Sequence, residues 1–325
     1  MRPKIKLSRE EILDALSNNP TKVDAARELG VSIDTLRRRM NEFGIGSSLN
    51  IASERFKYPE DKTWDEIKKE FINHKPEEIG QSKVDFVFED RKMLLVCVAD
   101  CHVGAQTTDM KRLISDIEII KQTPDVFCCL NGDLLDNYNR NGVGGGVYEQ
   151  VLSIPDQKIF VRKMLEELQD KALWILQGSH EEWEFNTSGF DASKYFARHI
   201  RGAWLGFGGI VNLNFPSVTF RIFATHKPPG RTVDNPSIGL KKVFYKQRNF
   251  DIGIAAHYHA ASVEIDFIRG QRVIFVNCGS YKTPDRYILA NNFGNCDILV
   301  PGILFDPKRK IATPFLDFRD ALDYV

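Results

Sequence analysis

Three nearly uninterrupted apolar runs, each breaking directly into a short polar motif, constrain this chain more than any other feature. They read MLLVCVAD from Met93, DVFCCLNGD from Asp125 and ALWILQGSH from Ala172. A strand that is apolar on both faces must be covered on both faces. Helical stretches at Asp109–Gln122 and Asp156–Lys171 lie between the runs and supply that cover. Beyond about residue 203 the helices thin out, and hairpin-like strands are expected at Val218–Thr225, Asp251–Ala256, Ser262–Ile268 and Arg272–Asn277. The pattern predicts an α/β (α+β) chain in which two packed sheets are flanked by helices.

Metal-capable side chains gather where these strands end. In chain order they are Asp100-Cys101-His102, Asn131-Gly132-Asp133, Gly178-Ser179-His180-Glu181, Thr225-His226 and His257-Tyr258-His259. Open α/β sheets bind their ligands at the carboxyl ends of strands. Five of the seven histidines fall in these clusters, His74 and His199 being the exceptions. A single strand-end histidine is ordinarily a hydrogen-bonded structural residue, but five together with two aspartates resist that explanation. Residues at i and i+2 of an extended segment point the same way, so Asp100 with His102, and His257 with His259, can each grip one ion.

The ordered series Asp-x-His, Gly-Asp-x-x-Asp, Gly-Ser-His-Glu, His and Ala-His-x-His resembles the signature of the calcineurin-like metallophosphoesterases over roughly residues 92–282. The resemblance implies a four-layer α-β-β-α sandwich. It implies Asp100, His102, Asp133 and His259 on a first metal, Asp133 bridging to a second, and His226 and His257 completing the second. It also implies His180 as the catalytic histidine, acting with Asp133, and attack by a metal-activated hydroxide. Two departures stand out. Ser179 occupies the place of a metal-binding asparagine, and Ala256 that of a glycine. Either the serine weakens the second site, or water or Glu181 fills the gap. The mixed carboxylate and imidazole set suits two divalent ions, manganese first, with iron, zinc, nickel, cobalt or magnesium as alternatives. Asp136 is either the second acid of its motif or a turn cap. Asn137, Arg140 and Arg231 are candidate phosphate contacts, and Trp183 is either packing or a stacking surface for a base. Asn141–Gly146 reads as a loop rather than a phosphate cradle.

Residues 1–47 form a separate module. Ser8 and Glu11 make a capping box for a first helix, Thr21 opens a second that stops at Gly30, and Ser32 caps a third that closes at Gly44. Val23, Ala26, Leu29, Val31, Ile33, Leu36 and Met40 are the expected core. The stretch resembles the helix-turn-helix of bacterial regulators and recombinases, with Ser32–Phe43 as recognition helix. Nine basic residues face seven acids there, a net charge of only +2. Arg37, Arg38 and Arg39 are the expected DNA contacts, although successive helical residues point about 100° apart, so all three cannot meet one backbone. Docking to a protein is the other reading. Residues 48–90 read as a linker partly packed on the domain at 91–325, with one short helix at Trp64–Phe71.

Formal net charge is zero, so polyanion binding must come from local patches. The N-terminus lacks the apolar core of a signal peptide, and no stretch is long enough to span a membrane. Six scattered cysteines suit reduced thiols in a cytoplasmic protein. Nothing in the sequence sets an oligomeric state. Asn137-Tyr138 follows Asp136 where the serine/threonine phosphatases carry Arg-Gly, which argues against that branch. The helix-turn-helix turns the expectation toward a DNA phosphodiester, as in the repair-exonuclease branch and phage phosphoesterases. Cyclic-nucleotide hydrolysis and a DNA-binding adaptor with a degenerate site are the alternatives.

Overall fold

The computed structural model describes residues 7–19, 22–43, 63–73, 83–139, 146–230, 235–247, 250–290 and 298–325. The chain divides into two compact units, residues 1–75 and 76–325. In the smaller unit, α1 (Arg9–Asn18), α2 (Lys22–Glu28) and α3 (Ile33–Glu42) enclose their own core. The Ser8–Glu11 capping box forms on both sides, and Thr35 N donates to Ser32 Oγ at 3.2 Å. Gly30 takes φ +64 between α2 and α3, a left-handed turn that favours glycine. Ile12, Ala15, Ala25, Ala26, Leu36 and Met40 are buried together, with Leu29, Val31 and Ile33 against them. The Val23 side chain lies outside the described residues. A fourth helix, α4 (Trp64–Asn73), belongs to the same unit.

The larger unit runs β1 (Lys83–Val87), β2 (Met93–Val98), α5 (Met110–Gln122), β3 (Val126–Leu130), α6 (Ile154–Glu167), β4 (Ala172–Ile175), α7 (Ser179–Ser188), α8 (Ala192–Phe196), β5 (Ala203–Trp204), β6 (Gly208–Phe215), β7 (Val218–Thr225), α9 (Ile238–Gln247), β8 (Ile252–Ala255), β9 (Ser262–Ile268), β10 (Gln271–Asn277), α10 (Arg286–Ala290), β11 (Gly302–Asp306) and β12 (Ile311–Phe315). One sheet has the order β12-β11-β2-β3-β4-β5 and the other β1-β6-β7-β8-β10-β9. Side-chain alternation along β2 explains the layering. Leu94, Val96 and Val98 pack outward with Leu113, Ile117 and Ile120 of α5 and Val161, Met164 and Leu165 of α6. Met93, Leu95 and Cys97 pack inward against Val211, Leu213, Ile222, Ile254 and Ile274 of the second sheet. The far face of that sheet is covered by Leu240, Val243 and Phe244 of α9, with Phe250 and Phe275. The result is the four-layer α-β-β-α sandwich.

Residues 83–87, read from the sequence as the end of a linker, instead form an edge strand parallel to β6. Val84 and Phe86 pack against the inter-sheet core while Lys83, Asp85 and Val87 stay exposed, an alternation too short to stand out in a charged stretch. Cys97, Cys101, Cys128, Cys129 and Cys278 are free, buried thiols. Among the described residues, no helix is long and apolar enough to cross a membrane.

Strand direction positions the site. β2, β3 and β4 run parallel in one sheet, and β7 and β8 run parallel in the other. Each of these five strands leads directly into one of the five polar motifs.

Candidate metal centre

Besides a grouping of His102, Asp136 and His180, two triads of ligand atoms form at these strand ends. Asp100, His102 and His259 make one, and Asp133, His226 and His257 the other; in each, the ligand atoms lie within 4.8 Å of one another. In the first, His102 Nε2 is 3.0 Å from His259 Nε2, which is 3.2 Å from Asp100 Oδ1. In the second, His226 Nε2 is 3.1 Å from Asp133 Oδ2. Asp100, His102, Asp133 and His226 are all buried.

The backbone is bent to make this possible. Asp100, His102, Asp133, Asn137, His257 and His259 have positive φ, between 43° and 77°. Only three other non-glycine residues among those described do so. Such conformations cost on the order of 1 kcal/mol or more each and persist where surrounding structure over-determines them. Asp, Asn and His tolerate this region better than other side-chain-bearing residues, so the residue types that suit the chemistry also suit the turns.

Glu181 supplies much of that surrounding structure. Its carboxylate accepts from four backbone amides: Gly178 at 3.0 Å, Asp133 at 3.0 Å, Leu134 at 2.8 Å and Leu135 at 3.1 Å. Both oxygens are thereby engaged, so Glu181 does not fill the place of the missing asparagine. Burial, then the charge of Asp133, pushes its pKa up to about 7, against the pull of the amides. Gly178 is needed for contact, since a Cβ there would lie 2.1 Å from Asp133 N.

Hydrogen bonds also orient the imidazoles. His226 Nδ1 bonds the Asn131 carbonyl at 2.7 Å, which turns Nε2 toward Asp133. Burial alone would lower the pKa of His226, but Asp133, then Asp100 and the Asn131 carbonyl, push it up to about 10. For Asp133 burial acts upward, yet His226 and His180 hold it well below the usual carboxylate range. His257 falls to about 4, through burial and then the His226 charge. Ser179 Oγ sits 3.0 Å from Asp133 Oδ2 and 3.3 Å from His257 Nδ1, beside the second triad.

His180 lies outside both triads but joins His102 and Asp136 in a third group whose ligand atoms lie within 4.8 Å of one another. Its backbone N donates to Asp133 Oδ1 at 2.8 Å, and its Nδ1 makes a short hydrogen bond to the Asp136 carbonyl. The Trp183 ring packs on it at 4.0 Å between centroids, and Tyr138 lies 5.1 Å from Trp183.

Other expected contacts fall elsewhere. Asn137 is wholly buried, and its amide donates to the His180 carbonyl at 2.8 Å. Its short side chain, following a left-handed backbone, turns inward and ties its loop to the start of α7, with Oδ1 buried and without a hydrogen-bond partner. Arg140 and Arg231 lie outside the described residues. In the smaller unit Arg37 and Arg38 are exposed and Arg39 half-buried, with Arg37 3.6 Å from Asp34.

The model of the calcineurin-like phosphoesterases matches residues 93–261, just over half of the chain. The chain belongs to that family. The matched range of this phosphoesterase takes in Asp100 through His259 and also Asn131 and Asp136, which the sequence had singled out, whereas Lys282 lies beyond it and was found only by geometry. Lys282 carried no sequence signal at all. A second model, the Fis family of bacterial regulatory proteins, matches residues 6–43. Similar solved structures include Vps29 from Entamoeba histolytica complexed with zinc, 14% identical with a TM-score of 0.38, covering 69% of this chain and 97% of that one. A predicted phosphoesterase from Streptococcus pneumoniae is 13% identical, with a TM-score of 0.33 and coverage of 69% and 98%. A hypothetical protein from Pyrococcus horikoshii is 10% identical, with a TM-score of 0.41 and coverage of 71% and 91%. No curated protein matches.

Proposed function

We propose that this phosphoesterase is a phosphodiesterase that holds two divalent ions and acts on DNA. The observation that carries the proposal is the pair of oxygen–nitrogen triads on adjoining strand ends, each with two buried members and one half-buried histidine. Asp100 Oδ1 and His226 Nε2 are buried and meet no partner with hydrogen-bond geometry, facing only the other members of their own triads at 3.2 and 3.1 Å, as expected of atoms kept for a metal. Asp100, His102, His259 and Asp133 would hold one ion, and Asp133, His226 and His257, with Ser179, the other. Manganese fits this donor set, as do iron, zinc, nickel, cobalt and magnesium. When bound, two such ions supply an activated water and neutralise charge on the phosphate.

The protein's own part is to position and to move a proton. With Nδ1 committed to the Asp136 carbonyl, His180 Nε2 is the atom through which a proton passes to the leaving oxygen. Burial holds the His180 pKa below its ordinary value, against the pull of Asp133. Its protonated fraction, and with it turnover of poor leaving groups, falls as pH rises.

Support for DNA comes from the Fis-type match over residues 6–43 and the exposed Arg37 and Arg38. Ser179 favours a second reading, a DNA-binding adaptor whose phosphoesterase domain is a scaffold. Hydrolysis of bis-(p-nitrophenyl) phosphate with manganese separates the two, since the scaffold has no turnover. Competition of that turnover by DNA, set against cyclic nucleotides, then tests the substrate. Inhibition by cyclic nucleotides but not by DNA would overturn the DNA reading.

A further inference from the structure

The phosphoesterase match ends at residue 261, but the walls of the site do not. Ser280 Oγ and Tyr281 N both donate to the Asp100 carbonyl, at 2.9 and 3.2 Å. Lys282 forms an antiparallel bridge with Thr108, whose hydroxyl donates to the His102 carbonyl at 2.8 Å. Residues 280–282 thus lie against the Asp100-x-His102 turn.

Lys282 turns its side chain inward. The side chain is only 5% exposed, and its Nζ sits 3.2 Å from Asp136 Oδ1 and 2.8 Å from Asp285 Oδ2. The Tyr138 ring centroid is 5.4 Å away. An ammonium withdrawn from water in this way needs charged partners, and both carboxylates are themselves buried. A lysine kept for a substrate phosphate would face the solvent opening instead.

Asp136 connects this lysine to both functional histidines. Its Oδ1 is 3.4 Å from His102 Nδ1, a buried nitrogen with no hydrogen-bond partner, and its main-chain carbonyl accepts from His180 Nδ1. His102 offers Nε2 to the first triad, so its ring proton belongs on Nδ1, facing Asp136. Carboxylates placed behind a ligand histidine fix its tautomer and ring direction.

We propose that Lys282 is a positioning residue of the metal centre: held between Asp136 and Asp285, it fixes Asp136 behind His102 and His180. The proposal rests on the reading of His102 as a ligand of the first ion. It does not depend on the substrate being DNA.

The test compares the full-length wild type with Lys282→Met, Lys282→Gln, Asp136→Asn and the Lys282→Met/Asp136→Asn double variant. Metal-free proteins are titrated with manganese by calorimetry, and hydrolysis of bis-(p-nitrophenyl) phosphate is followed in parallel. Lys282→Met is expected to weaken the first ion about 10–100-fold, the range typical of such supporting partners, and to leave the second ion's affinity unchanged. It should lower kcat with little change in KM. The double variant should be no worse than Asp136→Asn alone, because the lysine acts through that carboxylate. Equal weakening of both ions, or additive losses, would overturn the proposal. So would a raised KM with intact metal affinity, which would make Lys282 a phosphate contact. Failure of both neutral variants to fold would make the lysine a purely structural residue and overturn it too. A wild type that binds two ions but hydrolyses nothing defeats the phosphodiesterase reading alone, since the affinity comparison still decides the role of Lys282. A wild type that binds no manganese defeats both.

Discussion

At the scale of single residues, the site sets one histidine apart from the others. His180 bonds Asp133 and Asp136 but joins neither the Asp100 nor the Asp133 triad. His180→Ala is therefore expected to keep its manganese while turnover of poor leaving groups falls roughly 10²–10⁴-fold. Asp133→Ala should instead lose metal. Elemental analysis beside kinetics checks the division, and equal metal loss in the two variants would refute it. Ser179 lies within reach of Asp133 and His257, and the Glu181 oxygens are occupied elsewhere. Ser179→Asn should therefore tighten the second ion by about tenfold, the scale of one interaction at a metal ligand. A manganese titration of activity shows whether the wild type alone needs excess metal. Protons offer an independent reading. His226, raised to about 10 in the metal-free chain, carries a proton at neutral pH that ligation must displace. Binding of the second ion should then release about one proton and strengthen as pH rises. Calorimetry at pH 7 in two buffers of different ionisation enthalpy measures this, and identical heats would rule it out. The sign for folding is opposite. A pKa raised in the native state stabilises the metal-free protein fully below the ordinary value near 6.5, and that stability is lost as pH rises through about 10.

At the scale of elements, the centre is held by one helix start against one loop. Glu181, in the first turn of α7, gathers the amides of Gly178, Asp133, Leu134 and Leu135. Glu181→Ala would leave these donors without an acceptor, at about 1–3 kcal/mol for each one that stays buried and unpaired. The expected outcome is a loss of at least about 3 kcal/mol together with a weakened Asp133 triad. Urea unfolding of the metal-free protein measures the first, and manganese titration the second. Unchanged stability would mean that water replaces the carboxylate. The short β1 belongs to the same scale. Its two inward side chains are too few to reveal a strand by alternation alone, and β6 supplies the pairing that decides it.

At the scale of the whole molecule, the two units have separate cores, and all the triad residues belong to the larger one. Deleting residues 1–47 should leave hydrolysis of a small chromogenic diester unchanged and weaken binding to DNA. Phosphate contacts by Arg37 and Arg38 would also make the full-length affinity fall steeply with salt. Fluorescence anisotropy with labelled duplex at several salt concentrations checks both. Equal affinity with and without the module would assign it to a protein partner.

Much of the candidate centre was legible in the sequence because the side chains that meet there follow strand ends, where short motifs keep fixed spacing. His257 and His259 are divided between the two triads, a division that only the packing of the sheets decides, whereas Asp100 and His102, at the same spacing, come to one triad through local geometry alone. The helix-turn-helix is local for the same reason, its caps at Ser8 and Ser32 and its turn at Gly30 each lying within one or two turns of chain. What lies behind the ligands was not legible. Lys282 reaches Asp136 across 146 positions, a separation at which no spacing rule operates. Asn137 shows the converse: its place after Asp136 suggests a phosphate contact, and only the packed loop shows that its side chain turns inward. Local periodicity and motif spacing decided which residues can be ligands. The meeting of two sheets decided which side chains stand behind them, because burial and charge pairing depend on what the rest of the chain brings alongside.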